Sequence, residues 1–243
     1  MAERILKDCK IYWDGYNLSA DHNVLQLTYG AEIQDKTVFG NATRTKLAGL
    51  KTVEMANSGF WDSDGTDEPD DVFFPDIGTE DQIITMCPIA GAEAERAFFF
   101  KSDISTYEPG GAIGDMFVFN IAAVGSGELV RGTMMKTGAV TSSGSGTAIQ
   151  EGAVSATQYL YAAIHAIAVS GTDPTLDVKI QSDDDSGFAS ATDRITFTQL
   201  TAIGAQFATR VAGAITDDWW RVNWTIGGTD TPTFNIIVVI GIQ

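Results

Sequence analysis

The sequence predicts an all-β protein in two parts, 1–137 and 139–243, and three features carry that reading. Apolar and polar residues alternate over many short runs, long helical periodicity is nearly absent, and Gly, Asn, Asp or Ser closes each run. With 243 residues, 44% of them hydrophobic and 19% charged, the chain can bury a core of this kind.

Taken in order, the expected strands of the first part are 9–13, 24–32, 36–39, 44–48, 52–61, 82–88, 97–105, 115–124 and 128–135. One short helix over 66–76 breaks the series. Thr66 and Asp67 stand before Pro69 as capping residues, and Glu68, Asp70 and Asp71 place acids at the positive end of the helix dipole. Pro75 and Gly78 stop it. Between Gly138 and Gly146 the chain thins to small residues around Val140, which suggests a join or flexible corner. Beyond it the expected strands are 158–169, 176–181, 194–198, 206–211, 219–226 and 234–242, spaced as in a β-sandwich. Alternation puts Trp220 and Trp224 on one face and Trp219 on the other, and Val222 between the pair points to core packing.

Charge is unevenly placed. The chain carries −17, so no generally basic surface is available for nucleic acid. Residues 1–60 sum to zero, 61–128 to −13 and 129–243 to −4. Against the acidic middle, Lys36, Arg44, Lys46 and Lys51 cluster near the single acid Asp35. Unlike patches of this kind suit either two solvated faces or self-association.

Catalytic and metal chemistry finds little to work with. His22 and His165 are the two histidines, Cys9 and Cys87 the two cysteines, and no zinc spacing or G-x-S-x-G occurs. His165 sits in an apolar run and reads as a packed histidine, His22 as a turn residue, and both thiols as reduced. Gly110–Gly114 and Gly125–Gly127 lack the lysine of a phosphate loop. The acid-rich turns at Asp62–Gly65 and Asp183–Gly187 lack the bidentate Glu of a calcium loop. No enzyme, cofactor or metal is expected. The longest apolar run, 236–240, is far short of a bilayer span, and the opening residues carry no secretory pattern, so synthesis in a cytoplasm is expected.

The stretch from Tyr29 to Asp62 is more specific. Its Thr37-x-Phe39-Gly40, its Arg44 followed by Gly49-Leu50-Lys51, and its Ser58-Gly59-Phe60-Trp61-Asp62 resemble the major tail tube proteins of long-tailed bacteriophages. Weaker similarity runs through 114–132. The resemblance implies a tail-tube β-sandwich or barrel over 1–137, with one short flanking helix and a long projecting hairpin loop at 33–51, followed by a second β-sandwich over 139–243. It implies a structural virion protein, made in the host cytoplasm, whose copies form stacked rings. Hexamers are expected, or trimers if the second part is another tube module. Other tail proteins would be its partners, and DNA would pass through the bore without specific binding.

Site expectations follow from this. Lys36, Phe39, Arg44, Lys46, Leu50 and Lys51 are assigned to contacts between subunits or rings. Asp62, Asp64, Asp67, Glu68, Asp70, Asp71, Glu80 and Asp81 form the acidic partner patch. The polar faces of the strands, Gln26, Thr28, Glu32, Glu54, Ser58 and Asp103, are assigned to the lumen, where carboxylates keep phosphates from sticking. Competing classes are a phage capsid decoration protein and a glycan- or host-surface-binding module built on the tryptophan-bearing part.

Overall fold

Nearly every alternating run is a strand in the computed structural model, which describes residues 6–65 and 67–243. The strands are β1 (Lys10–Trp13), β2 (Tyr16–Asn17), β3 (His22–Asp35), β4 (Lys46–Phe60), β5 (Gln82–Cys87), β6 (Arg96–Gly110) and β7 (Val118–Gly125). They continue as β8 (Val130–Val140), β9 (Gly144–Ser145), β10 (Ile149–Gln150), β11 (Tyr159–Asp183), β12 (Thr192–Thr196), β13 (Gly204–Phe207), β14 (Val211–Ala212) and β15 (Trp219–Ile242). The described residues hold one helix, α1 (Pro69–Phe73). It is shorter than the expected 66–76 because Pro75, just past its end, cannot donate to the helical ladder, and the last helical bond runs from Phe74 N–H to Asp70 O. Thr66, expected as a cap, lies outside the described residues, and the observed cap position is Glu68.

The chain forms two units that interleave in sequence. The first takes the residues up to Ala20, Gln82–Phe100 and Val130–Gln243, the second Asp21–Asp81 and Lys101–Leu129. Residue 138, where the sequence suggests a join, lies inside β8 with Gly138 opposite Ile236. The small residues after it have a packing cause. The Trp224 indole lies over Gly144 and donates from Nε1 to Ser142 O at 2.8 Å, so a large side chain there would displace it.

The first unit is organised by β11 and β15, paired antiparallel along nearly their whole length. The sequence suggests two strands in place of each, 158–169 and 176–181 for β11 and 219–226 and 234–242 for β15, with Gly171, Pro174, Gly227 and Gly228 in the intervals. The structure instead absorbs these residues in register shifts between Ser170 and Thr175, where both strands bend without leaving the sheet. Both halves of each strand then face one core: Leu160, Ile164, Val178, Ile180, Val222 and Ile236 are all buried in it. The opposite face of the 160–166 and 236–240 halves packs into a second core with Tyr12, Phe99 and Met134. Burial on both faces explains why these runs are continuously apolar instead of alternating.

The second unit is a four-stranded antiparallel sheet in the order β3, β4, β7 and the second half of β6, with α1 on one face. Phe73 of α1 packs on His22, Tyr107 and Phe119, with ring centroids 5.6–6.1 Å apart. Gly59, in the Ser-Gly-Phe motif, is required by backbone proximity. A Cβ there would lie 1.9 Å from Asp21 O, which accepts the Phe60 N–H at 2.9 Å.

Candidate functional site

Direct cross-strand partners share a face. The register of the second unit therefore sets Thr28, Glu54, Val124 and Asp103 in one row, and Gln26, Ala56, Ala122 and Thr106 in the next. Ser58, Asn120 and Glu108 follow in a third. None of these side chains is buried. The opposite face of the same strands carries Leu27, Met55, Ala123 and Ile104, turned toward the apolar interior. Five of the six residues assigned to a lumen thus lie together on one solvent-facing, small, polar and acidic surface, and Asp103 on it also accepts the Asp81 N–H at 2.8 Å. Glu32 sits apart, exposed in the bulge between Ala31 and Ile33. Thr106, Glu108 and Asn120 belong to the same surface although alternation in β3 and β4 alone does not reveal them.

β3 is an edge strand whose partner among the described residues is β4 alone. β7 takes the other side of β4 only from Glu54 to Phe60, so residues 30–35 and 46–52 form a two-stranded ribbon that continues past the sheet. Residues 31–52, which make up this ribbon and its tip beyond Gly30, are exposed, with Thr45 alone among them partly covered. Its tip is ordered by local bonds. Lys36 N–H donates to Thr45 O at 3.1 Å, Thr45 N–H to Thr37 Oγ1 at 3.0 Å, and Asn41 N–H to Val38 O at 3.3 Å. The last closes a turn whose third residue, Gly40, has φ +94°, a conformation that favours glycine and presents Phe39 outward. Residues 36–39 and 44–45, expected as strand, are spent on this turn. Phe39 is wholly exposed and Leu50 is 81% exposed.

The basic residues assigned to contacts all lie on the ribbon but differ in what they touch. Lys36 and Arg44 flank the tip. Lys46 is held by Asp35 of the same ribbon at 2.9 Å, with both side chains nearly half exposed. A hydrogen bond from Thr37 and the Lys46 ammonium keep the Asp35 carboxyl below the usual carboxylate range. Lys51 stands 5.7 Å over the Tyr29 ring.

The expected acidic patch is divided. Asp62, Asp64, Asp67 and Glu68 gather with Asp21, a member not singled out in the sequence. Partial burial and then repulsion from Asp21, Asp62, Asp67 and Asp64 raise the Glu68 carboxyl above its ordinary value. Asp70 serves the interior instead, accepting from Trp61 Nε1 at 3.0 Å and Tyr107 OH at 2.8 Å. Asp81 accepts from Lys101 Nζ and Ser126 Oγ, both at 2.7 Å. Asp71 and Glu80 are exposed.

Other sequence candidates have structural roles. Trp220 and Trp224 lie in the core of the first unit and donate to Gly152 O and Ser142 O. They offer no face to a sugar. His22 is the first residue of β3, packed edge-on against Phe119, not a turn residue. Cys9 and Cys87 are free, and burial pushes their thiols up to about 11 and about 12. Among the described residues no group of His, Cys, Asp and Glu is arranged to hold a metal ion.

His165 is fully buried. The Gly15 N–H donates to Nδ1 at 3.4 Å, which leaves the ring proton on Nε2 and makes Thr85 Oγ1, at 2.8 Å, its acceptor. Burial pushes its pKa down to about 3. The unfolded chain, near the ordinary value of about 6.5, binds the proton first as pH falls, so this group's contribution to stability is full above 6.5 and is lost toward 3. Between pH 6 and 4.5 the unfolding free energy of the wild type is expected to fall more steeply than that of His165→Gln, by about 1.4 kcal/mol per pH unit in urea titrations. Parallel profiles would contradict this account of His165.

No protein-family model matches the chain, and no curated protein matches it. Among solved structures, a chain from the virion of a native gene transfer agent particle is 19% identical, with a TM-score of 0.43 over 52% of this chain and 97% of that one. The SPP1 Dit protein, described as a hub adsorption apparatus in phages infecting Gram-positive bacteria, is 12% identical, with a TM-score of 0.38 over 98% of this chain and 100% of that one. A chain of the activated phage p2 baseplate is 8% identical, with a TM-score of 0.35 over 97% and 98%.

Proposed function

We propose that the chain is a structural subunit of a bacteriophage tail, of the tube type, whose copies close into rings and stack into a conduit for DNA. The observation that carries this reading is the two-faced sheet of the second unit. One face is apolar and covered by α1, while the other presents Thr28, Glu54, Asp103, Gln26, Ser58 and Glu108 to water in aligned rows. A bore that must pass a polyanion without holding it needs such a wall, because carboxylates repel phosphates and small polar groups offer them no strong partner.

The edge of β3 supplies a reason to associate. Among the described residues this 14-residue strand pairs with β4 alone, an edge of that kind is a template for another chain, and joining edges around a ring removes it. The ribbon supplies a second reason, since a two-stranded hairpin with no third layer is marginal in water by itself. The resemblance of 29–62 to tail tube proteins agrees with both.

One such sheet per chain favours a hexamer over a trimer. In the first unit the 160–166 and 236–240 strand halves are covered on both faces, so they offer no second bore-lining surface. Burial of Trp220 and Trp224 removes the aromatic platform on which the glycan-binding alternative rests.

Assembly is expected to depend on attraction between the basic ribbon and acids of a neighbouring copy. From about 0.1 M to about 1 M sodium chloride the screening length shrinks from about 10 Å to about 3 Å. Pelletable polymer measured by sedimentation should fall severalfold across that range. A yield that rises with salt would assign assembly to apolar contact instead.

A further inference from the structure

The two ends of β4 carry unlike surfaces. At its start is the ribbon tip, with Lys36 and Arg44 beside exposed Val38 and Phe39. At its end Phe60 pairs with Val118, which brings loop 111–117, between β6 and β7, beside the segment that follows Phe60. Trp61 N–H donates to Phe117 O at 3.1 Å, and the two rings meet edge to face at 5.2 Å. The length of β4 separates these ends by roughly 45 Å at the rise of an extended strand.

The far end is apolar as well as acidic. Ile113 is wholly exposed and Met116 is 66% exposed, in a loop turned by Gly114 at φ +95°. A single exposed apolar residue means little, but Ile113, Met116, Phe117 and Phe60 together, rimmed by charge, mark a contact surface. The charge is Asp21, Asp62, Asp64, Asp67, Glu68 and Asp115, and partial burial followed by repulsion from Asp21, Asp62, Asp67 and Asp64 raises the Glu68 carboxyl.

We propose that loop 111–117 and the acids around Asp62 form the socket for the ribbon tip of a second copy of this chain. Val38 and Phe39 would bury against Ile113 and Met116 while Lys36 and Arg44 meet the acids. This deepens the assembly reading above and rests on it. Charge decides the geometry: tip against tip opposes cations and socket against socket opposes anions, so only the head-to-tail contact is complementary. A contact between two different surfaces, repeated by each copy, generates an open stack with one direction instead of closed pairs.

The test uses the full chain. Ile113→Asp combined with Met116→Asp alters only exposed side chains, so folding by circular dichroism should match wild type, while electron micrographs should show rings that no longer stack. A second variant, Phe39→Cys with Met116→Cys, should give a ladder of covalent multimers under mild oxidation, and neither single variant should. The native thiols, held protonated by burial, stay out of that reaction. Unimpaired stacking by the double Asp variant, or covalent dimers from Phe39→Cys alone, would overturn the socket while leaving ring formation standing. Wild-type protein that forms neither rings nor stacks would overturn both.

Discussion

Replacing residues 36–45 by a two-residue Asn-Gly turn is expected to leave the chain folded and to abolish stacking. These residues bury almost nothing within their own chain, so their removal should move the thermal midpoint by no more than about 2 °C, and a short type I′ turn suits the paired strand ends Asp35 and Lys46. What is lost is external. Burying a side chain the size of Phe39 contributes about 1.5–3 kcal/mol, and one such contact per copy is repeated around each ring. Pelletable polymer should therefore fall by at least about tenfold, a change that about 1.4 kcal/mol suffices to produce. Polymer formed as readily by the shortened chain would remove the ribbon from the assembly mechanism.

Glu54→Lys combined with Glu108→Lys is expected to turn an inert bore into one that holds DNA. Both carboxylates are exposed on the polar face of the sheet, so the substitutions should not disturb the packing beneath. Asp103 is left in place because it accepts the Asp81 N–H. Tubes should still form. At about 50 mM salt, short duplex DNA should pellet with the variant tubes at least about tenfold more than with wild type, fall away as salt rises, and be protected from nuclease. Bound DNA that nuclease digests would place this face on the outside of the tube.

The alternation of β4 shows how much of this was legible in the sequence. Val53, Met55 and Asn57 against Glu54, Ala56 and Ser58 can be separated by period alone, and burial follows that split. The burial of Trp220 and Trp224 was readable in the same way, as was a packed His165. Four things were not readable. The continuity of β11 and β15 through Gly171, Pro174, Gly227 and Gly228 was hidden because a bulge that keeps a bent strand in its sheet depends on the partner strand, not on local propensity. The interleaving of the two units depends on pairings such as β1 with β5 and β8 with β15, which join residues far apart in the chain. Gly110–Gly114 read as a turn and 115–124 as a strand, whereas the strand begins at Val118, and only the exposure of Ile113 and Met116 in the structure marks 111–117 as a surface. Within the acidic run, spacing could not distinguish Asp70, which serves Trp61 and Tyr107, from Asp67, which faces water.

Electron micrographs of the concentrated purified chain test the central claim most directly. The account predicts annular end views with an open bore and side views of stacked rings, with the β3–β4–β7–β6 sheet lining the bore once the views are averaged to strand resolution. Dispersed monomers at every concentration, or rings whose bore is lined by the first unit, would contradict it.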